Sequence, residues 1–304
     1  MTSEKKESMA KGHLSATVSV LIWGTTFIAT MTLLQVFQPS EIMFYRFLIG
    51  LLILLFTYPH RIKGTTLKQE IYFAMAGGVG ITIYFIFEKT ALLYTAASNV
   101  GVIISMAPFF TAILACFLLK SERPGKFFYL GFFTAIVGIV LISFNGVAFL
   151  GLNPFGDLLA VGAAVIWAGY NIILKKISEF GYSTIQVTRR TFMYALVFMI
   201  PFILFSDFEF GIARFSNPSN LVAILYLGVG ASALGFFLWN LAVKILGAVR
   251  TSIYVYAIPV VTVISAALFL GERITWISAT GTILALAGLF ISEYPILKDI
   301  RRGA

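Results

Sequence analysis

"PFFTAILACFLLKSER" (residues 108–123) and "PVVTVISAALFLGER" (residues 259–273) are two similar stretches of one chain. Each begins with a proline, continues as an apolar run and ends in a Glu-Arg pair. Each proline lies within a longer apolar run, about residues 97–119 and 249–270, which is long enough for a helix that crosses a membrane. The recurrence of the pattern indicates an internal duplication. Both inferences require that the rest of the chain is apolar and repeats itself.

The composition of the whole chain is that of a membrane protein. Of its 304 residues, 59% are hydrophobic and 12% are charged, and the mean hydropathy is +0.94. Soluble domains have roughly 45–50% apolar and about 25% charged residues. Almost purely apolar stretches of about 18 to 25 residues, separated by short polar clusters, predict an all-α integral membrane protein.

Ten transmembrane helices are predicted, which leaves little of the chain for a soluble domain. The stretches cover about residues 13–34, 41–58, 70–88, 97–119, 127–145, 156–176, 183–205, 219–243, 249–270 and 274–292. The first is interpreted as a retained span and not as a signal peptide, because no small-residue cleavage site follows it. Residues 1–12 and 293–304 are then short cytoplasmic tails.

Matched residues recur in the same order in both halves of the chain. Trp23 and Trp167 are separated by 144 residues, as are Arg46 and Arg190. Separations of 150 or 151 relate a further set: Ala91 and Ala242, Pro108 and Pro259, Glu122-Arg123 and Glu272-Arg273, Gly131 and Gly281, and Gly138 and Gly288. The sequence therefore predicts two five-helix repeats, residues 13–145 and 156–292. Because five crossings is an odd number, the repeats are inverted.

The distribution of basic residues predicts the orientation in the membrane. With ten spans and a cytoplasmic N-terminus, 16 of the 22 Lys and Arg residues fall on the cytoplasmic side and three lie within spans. Only Lys89, Arg214 and Arg273 fall outside. The positive-inside rule therefore predicts that both termini are cytoplasmic. This asymmetry explains the net charge of +9, so no nucleic-acid partner is expected.

These features together resemble a known family. The two opening stretches, the Trp in each half's first helix, the Arg in each half's second helix, and the closing "GFFTAIVGIVLI" and "GTILALAGLFI" resemble the EamA-type branch of the drug/metabolite transporter superfamily. The resemblance covers about residues 13–292. It departs at one point, since 14 residues separate Pro108 from Glu122 but 13 separate Pro259 from Glu272. It implies an inner-membrane exporter or permease of small metabolites, amino acids or drugs.

Inverted repeats let a central site open to each side in turn, so residues at mid-depth are candidates for a substrate cavity. Trp23 and Trp167 lie near the middle of their helices, whereas structural Trp in membranes prefers the interfaces. Plain helix packing is the alternative. The predicted cavity suits an uncharged or zwitterionic apolar solute. Its residues are Trp23, Thr26, Tyr84, Glu88, Asn99, Trp167, Tyr170, Asn171, Phe236, Trp239 and Asn240.

Prolines and charges inside the spans have other predicted roles. Pro108 and Pro259 each remove a backbone hydrogen bond and are predicted to kink their helices for gating, with static packing as the alternative. Exposing the charge of Arg46 or Arg190 to lipid would cost much free energy. Both are predicted to have structural roles rather than to contact substrate. Glu88 is a candidate for proton coupling or amine binding, unless it lies in the solvated interface.

Signals for enzyme chemistry are missing from the sequence. It has no Walker A loop and no HExxH motif, and its two His and one Cys give neither a catalytic triad nor a metal site. A secondary transporter without ATP, cofactor or metal is predicted, with a small-molecule substrate and the lipid bilayer as partners. The alternatives are a sugar-nucleotide or phosphate-ester exchanger of the same superfamily, and an integral-membrane enzyme or scaffold. A monomer and a dimer both stay open.

The predicted orientation can be tested by labelling in intact cells. A cysteine at Lys63 should be shielded from an impermeant thiol reagent because it lies in a cytoplasmic loop, and a cysteine at Asn153 should be labelled. The reverse pattern of labelling would contradict the orientation.

Overall fold

Ten long helices make up most of the described part of the chain, in which no strand occurs. A computed structural model describes residues 3–95, 97–119, 124–144, 153–206, 208–270 and 274–302. The helices are α1 (Ser3–Leu34), α2 (Pro39–Thr57), α3 (Leu67–Tyr94), α4 (Ala97–Ile104 and Ala107–Leu118), α5 (Lys126–Phe144), α6 (Pro154–Ser178), α7 (Thr184–Leu204), α8 (Pro218–Leu246), α9 (Ala248–Ser252, Ile253–Tyr256 and Ala257–Leu270) and α10 (Trp276–Arg302). The Glu-Arg pairs at 122–123 and 272–273 lie outside the described residues.

The lengths and composition of these helices are those of membrane spans. Within the described residues, eight are long and apolar enough to cross a membrane, and α5 and α10 contain shorter apolar stretches, Lys126–Ile142 and Trp276–Ser292. The predicted all-α membrane protein with ten transmembrane helices is confirmed.

Both ends of the described chain are more helical than predicted. Helix α1 begins at Ser3 and α10 continues to Arg302, so most of the two predicted tails is helical. In α1, Glu7 and Lys11 form an exposed ion pair of 3.4 Å one turn apart. Such pairs favour helix at the surface, which explains why the polar N-terminal residues extend α1.

Glycines bring the fifth helix of each repeat into contact in opposite directions. A Cβ atom on Gly281 of α10 would lie 2.5 Å from the carbonyl oxygen of Gly138 in α5, and one on Gly288 would lie 2.5 Å from that of Gly131. Only glycine permits so close an approach of two backbones. Residue numbers rise along α5 as they fall along α10, so the two helices are antiparallel and the repeats are inverted.

The helix pairings follow a two-fold pattern. Helix α1 packs on α8 and α9, and its counterpart α6 packs on α3 and α4. Helix α2 packs on α8, and its counterpart α7 packs on α3. The pairs α2–α7 and α5–α10 join each helix to its own counterpart. If each helix in these pairings is replaced by its counterpart in the other repeat, the same pairings result. This is expected for two inverted five-helix repeats.

Irregular backbone occurs at matched places in the two repeats. Helix α3 contains a π-helical segment, Gly78–Ile83, and its counterpart α8 contains another, Tyr226–Leu234. In α4 the helix is interrupted just before Pro108, and in α9 a 3-10 segment ends just before Pro259. Proline removes a donor, and π turns shift the hydrogen-bond pattern, so backbone carbonyls are freed at these places. The prolines therefore lie where a helix could bend, although gating itself stays a prediction.

Candidate functional site

Three tryptophans from three helices meet at the centre of the bundle. Trp23 of α1 packs against Trp167 of α6 and Trp239 of α8, with ring centroids 5.5 and 5.1 Å apart. Trp167 lies 5.9 Å from Trp239. We call these three residues the tryptophan cluster. Because α1 and α6 begin the two repeats, the cluster lies where the repeats meet.

Three further aromatic rings surround the tryptophan cluster. Tyr84 of α3 and Tyr170 of α6 each lie 5.2 Å from Trp167, and Phe236 of α8 lies 5.3 Å from Trp23. The rings are tilted or edge-on, which are favourable arrangements for aromatic pairs. Six of the predicted cavity residues are thereby brought together.

The π-helical segment of α8 positions Trp23. The Trp23 indole N–H donates a hydrogen bond to the carbonyl oxygen of Ala231, with 3.0 Å between N and O. Ala231 lies within this π segment, where the regular backbone pattern is shifted. Gly235 leaves space for the ring, since a Cβ atom there would lie 2.7 Å from Trp23 Nε1. The location of the indole is therefore fixed by the backbone of the other repeat.

The amides of Asn171 and Asn240 connect α6, α7 and α8. Asn171 Oδ1 accepts a hydrogen bond from Trp239 Nε1 at 2.8 Å, and Asn240 Oδ1 accepts one from the Tyr170 hydroxyl at 3.2 Å. Asn240 Nδ2 donates to Thr188 Oγ1 at 2.9 Å. Both Asn side chains are buried. These amide groups, predicted to line a cavity, are thus used within the protein to hold three helices together.

The indole of Trp167 differs from those of Trp23 and Trp239 in its hydrogen bonding. Within the described part of the chain its N–H donates no hydrogen bond, although Trp167 is only 7% exposed. Indole N–H groups usually find a partner when buried. Trp167 therefore offers a donor at the centre of the bundle that a bound solute could use.

Exposure divides the predicted cavity residues into two groups. A partly exposed group consists of Trp23, Thr26, Tyr84 and Glu88, and a buried group consists of Trp167, Tyr170, Asn171, Phe236, Trp239 and Asn240. Thr26 and Glu88 lie beyond Trp23 and Tyr84 toward the end of the bundle where α1 and α3 finish. The partly exposed members of the predicted cavity set therefore lie on that side of the tryptophan cluster. The side chain of Asn99 lies outside the described residues.

Arg190 forms an ion pair that joins α7 to α3. Its Nη2 lies 2.5 Å from Glu70 Oε1, and its Nε donates to Glu70 Oε2 at 3.1 Å. The Tyr194 hydroxyl donates to the same Oε2 at 2.6 Å. This geometry supports a structural role for Arg190. Glu70 was not predicted, because nothing in the sequence connects it to a residue 120 positions away.

A second ion pair lies at the opposite end of the bundle. Arg214, in the loop between α7 and α8, donates to both carboxylate oxygens of Glu41 in α2, at 2.7 and 3.1 Å. The Glu41 side chain is 0% exposed, and these hydrogen bonds raise the pKa of Arg214 above its ordinary value. Sequence reasoning missed this pair as well. We call the two ends of the bundle the Glu41 end and the Glu70 end.

Arg46 lies deeper than either ion pair, between α2, α3 and α8. Its Nε donates to Ser232 Oγ at 3.0 Å, and its guanidinium carbon lies 5.4 and 5.3 Å from the ring centroids of Phe47 and Phe85. Among the described residues, no group of three His, Cys, Asp or Glu side chains is arranged to hold a metal ion. The polar groups available at the centre are therefore arginine, carboxylate, amide, hydroxyl and indole.

Comparisons with known proteins agree with this architecture. The model of the EamA-like transporter family matches residues 10–144 and again residues 154–294. An "Uncharacterized transporter" of Archaeoglobus fulgidus is 29% identical over 93% of this chain and 97% of its own length. Relatives named "Probable amino-acid metabolite efflux pump" in Salmonella typhimurium and Escherichia coli are 27% and 28% identical, over 93% of this chain and 95% of theirs.

A solved structure has the same fold. A crystal structure with 19% sequence identity superposes with a TM-score of 0.75 and covers 93% of this chain and 96% of its own. At this identity the likeness concerns the fold alone.

The different hydrogen bonding of two tryptophans gives a stability prediction. Trp239→Phe leaves the buried Asn171 oxygen without its donor, which should cost about 1–3 kcal/mol beyond the loss of ring area. Trp167→Phe removes a similar ring area but orphans no protein acceptor. Thermal unfolding in detergent should therefore show the larger loss for Trp239→Phe. Equal losses in the two variants would contradict the hydrogen-bond assignment.

Proposed function

The chain belongs to the EamA-like transporter family, and we propose that it exports small organic solutes by alternating access, without ATP. The observation that carries this proposal is the tryptophan cluster, to which both inverted repeats contribute at mid-depth. In inverted-repeat carriers a midplane site opens to each side in turn as one repeat moves against the other. The family is one of transporters and the chain is not an enzyme.

Amino acids and their metabolites are the proposed solutes. Two relatives are named as efflux pumps for amino-acid metabolites. The rings around the tryptophan cluster favour an apolar side chain on the solute. The indole N–H of Trp167, which donates to none of the described residues, can donate to an oxygen on the solute. We place the protein in the cell inner membrane with both termini cytoplasmic, on the strength of its basic-residue asymmetry.

The arginines inside the spans argue against exchange of sugar nucleotides or phosphate esters. Such anions require several unpaired cationic side chains in the cavity. Arg189 donates to the carbonyl oxygens of Tyr58 and His60 at 2.6 and 2.7 Å, and Arg190 is bound to Glu70. Only one of the three span arginines, Arg46, is left for a solute.

The two ion pairs act in this proposal as latches at opposite ends. Each joins a residue of the first repeat to a residue of the second, Glu41 to Arg214 at one end and Glu70 to Arg190 at the other. Alternating access requires that the repeats separate at one end while they stay together at the other. Breaking one pair should therefore bias the carrier toward the state that is open at that end.

Transport by the reconstituted protein tests the proposed function. Proteoliposomes should show counterflow of at least one amino acid or related solute without ATP, and no exchange of nucleotide sugars. Trp167→Phe should lower the rate at least about tenfold, because a solute contact is lost while no protein partner is orphaned. Trp276→Phe is the matched control, since Trp276 is 90% exposed at the start of α10. Nucleotide-sugar exchange, or no counterflow across the panel, would contradict the proposal.

Side-specific labelling tests the latches. A single cysteine at Thr26, in a Cys116→Ala background, should react from the Glu41 end at least about three times faster when Glu41→Gln is added, because the buried pair is broken. Glu70→Gln should not accelerate this reaction. Glu7→Gln breaks only an exposed pair and serves as the control. Equal acceleration by both Glu41→Gln and Glu70→Gln would rule out two separate latches.

A further inference from the structure

Arg46 differs from the other arginines inside the spans. Arg189 and Arg190 use the terminal nitrogens of their guanidinium groups to bind protein oxygens. Arg46 donates only through Nε, to Ser232, and within the described residues Nη1 and Nη2 donate no hydrogen bond. A guanidinium presents its terminal N–H groups as a fork that matches a carboxylate. In Arg46 this pair of terminal N–H groups has no acceptor among the described residues.

The surroundings of Arg46 favour an ion pair with a ligand. The rings of Phe47 and Phe85 lie within 5.4 Å of the guanidinium and stabilise its charge without occupying the fork. An arginine inside a membrane span is costly unless it is paired. Arg46 nevertheless remains partly exposed at the centre of the bundle. A protein that keeps such a group partly exposed leaves it available to a solute.

Glu88 carries the complementary negative charge. Its Oε2 is buried and accepts no hydrogen bond from the described residues. Lys89 Nζ forms an ion pair with this oxygen at 3.2 Å, and the Lys89 side chain is 36% exposed. Such partly exposed pairs are weak, so the ammonium group of a ligand can replace Lys89 as the partner of Glu88.

The Arg46 guanidinium carbon lies 5.3 Å from the Phe85 ring of α3, and Glu88 follows Phe85 by one helical turn on the same side of that helix. Two opposite charges therefore lie near one another at α3, and Tyr84, four residues before Glu88, packs on Trp167 of the tryptophan cluster.

We propose, on the basis of the proposed function, that Arg46 binds the carboxylate and Glu88 the ammonium group of a zwitterionic α-amino acid. The apolar side chain of this solute packs against the tryptophan cluster. Arg46 was predicted to be structural, and this assignment makes it a binding residue instead. One positive and one negative group match a solute that carries one of each and no net charge, so Arg46 gains a partner on binding and Glu88 exchanges Lys89 for the ammonium group.

Intrinsic fluorescence can report this binding directly. Three of the four tryptophans form the cluster, so Trp276→Phe removes the only signal from elsewhere. The purified full-length chain in this background is titrated with L-phenylalanine, with 3-phenylpropionate, which lacks the ammonium group, and with phenethylamine, which lacks the carboxylate. L-phenylalanine should bind at least about tenfold more tightly than either analogue.

Charge-removing variants assign each half of the zwitterion. In Arg46→Gln, L-phenylalanine and phenethylamine should bind equally, because the carboxylate has lost its partner. In Glu88→Gln, L-phenylalanine and 3-phenylpropionate should bind equally. Lys68→Gln is the matched control and should keep the wild-type order, since Lys68 is exposed at the start of α3, far along the helix from Glu88. Thermal unfolding of each variant confirms that it is folded.

Two results would overturn the assignment. One is that the protein with Arg46 and Glu88 intact binds all three probes with equal affinity, or binds none of them. The other is an undiminished preference for the carboxylate in Arg46→Gln. If either occurs while proteoliposomes still show counterflow of some small solute, the zwitterion site is wrong and the proposed function stands. Loss of counterflow across the whole panel would instead refute the proposed function.

Discussion

Inside a bilayer every backbone N–H and C=O group needs a partner within the protein, because hydrocarbon offers none. Regular helices meet this constraint by themselves, but the π segments Gly78–Ile83 and Tyr226–Leu234 require help from side chains. The Trp23 indole binds the Ala231 carbonyl, and the Thr82 hydroxyl binds the Gly77 carbonyl just before its own π segment at 3.3 Å. The same hydroxyl lies 3.0 Å from the Ala195 carbonyl of α7. Irregular backbone and cross-repeat contacts therefore occur together at the centre, and the aromatic site is built on them.

The fold was predictable because its signals are local. Apolar runs of membrane-spanning length predict the helices, and matched residues such as Trp23 and Trp167 predict the inverted repeats. Long-range partners were not predictable: Glu70 and Arg190 are 120 positions apart, and neither residue type nor spacing connects them. The sequence also does not show whether a polar side chain in the middle of a span binds another protein group or lines a cavity. Asn171 was therefore predicted to line a cavity, while in the structure Trp239 binds its oxygen.

A carrier works only if its two open states have similar free energies, since a strong bias toward one state would halt the cycle. The fold supplies one buried or half-buried ion pair across the repeats at each end. Each pair also has supporting bonds, from Tyr194 to Glu70 at one end and from Arg214 to the Val36 carbonyl at the other. Inverted repeats bring comparable packing to both ends, and the two ion pairs extend that balance to charged contacts.

Duplication provided two equivalent arginines, 144 residues apart, and the structure gives them different surroundings. Arg190 is bound to Glu70, whereas the terminal nitrogens of Arg46 donate no hydrogen bond to the described residues. Had both arginines kept unused forks at the centre, the site would carry two positive charges and would suit a dianion. Binding Arg190 to an acid in the latch leaves Arg46 near Glu88, which is ion-paired to the partly exposed Lys89. An α-amino acid carries one positive and one negative group. A carrier with symmetric halves must therefore have different charged residues in its two halves to recognise an α-amino acid.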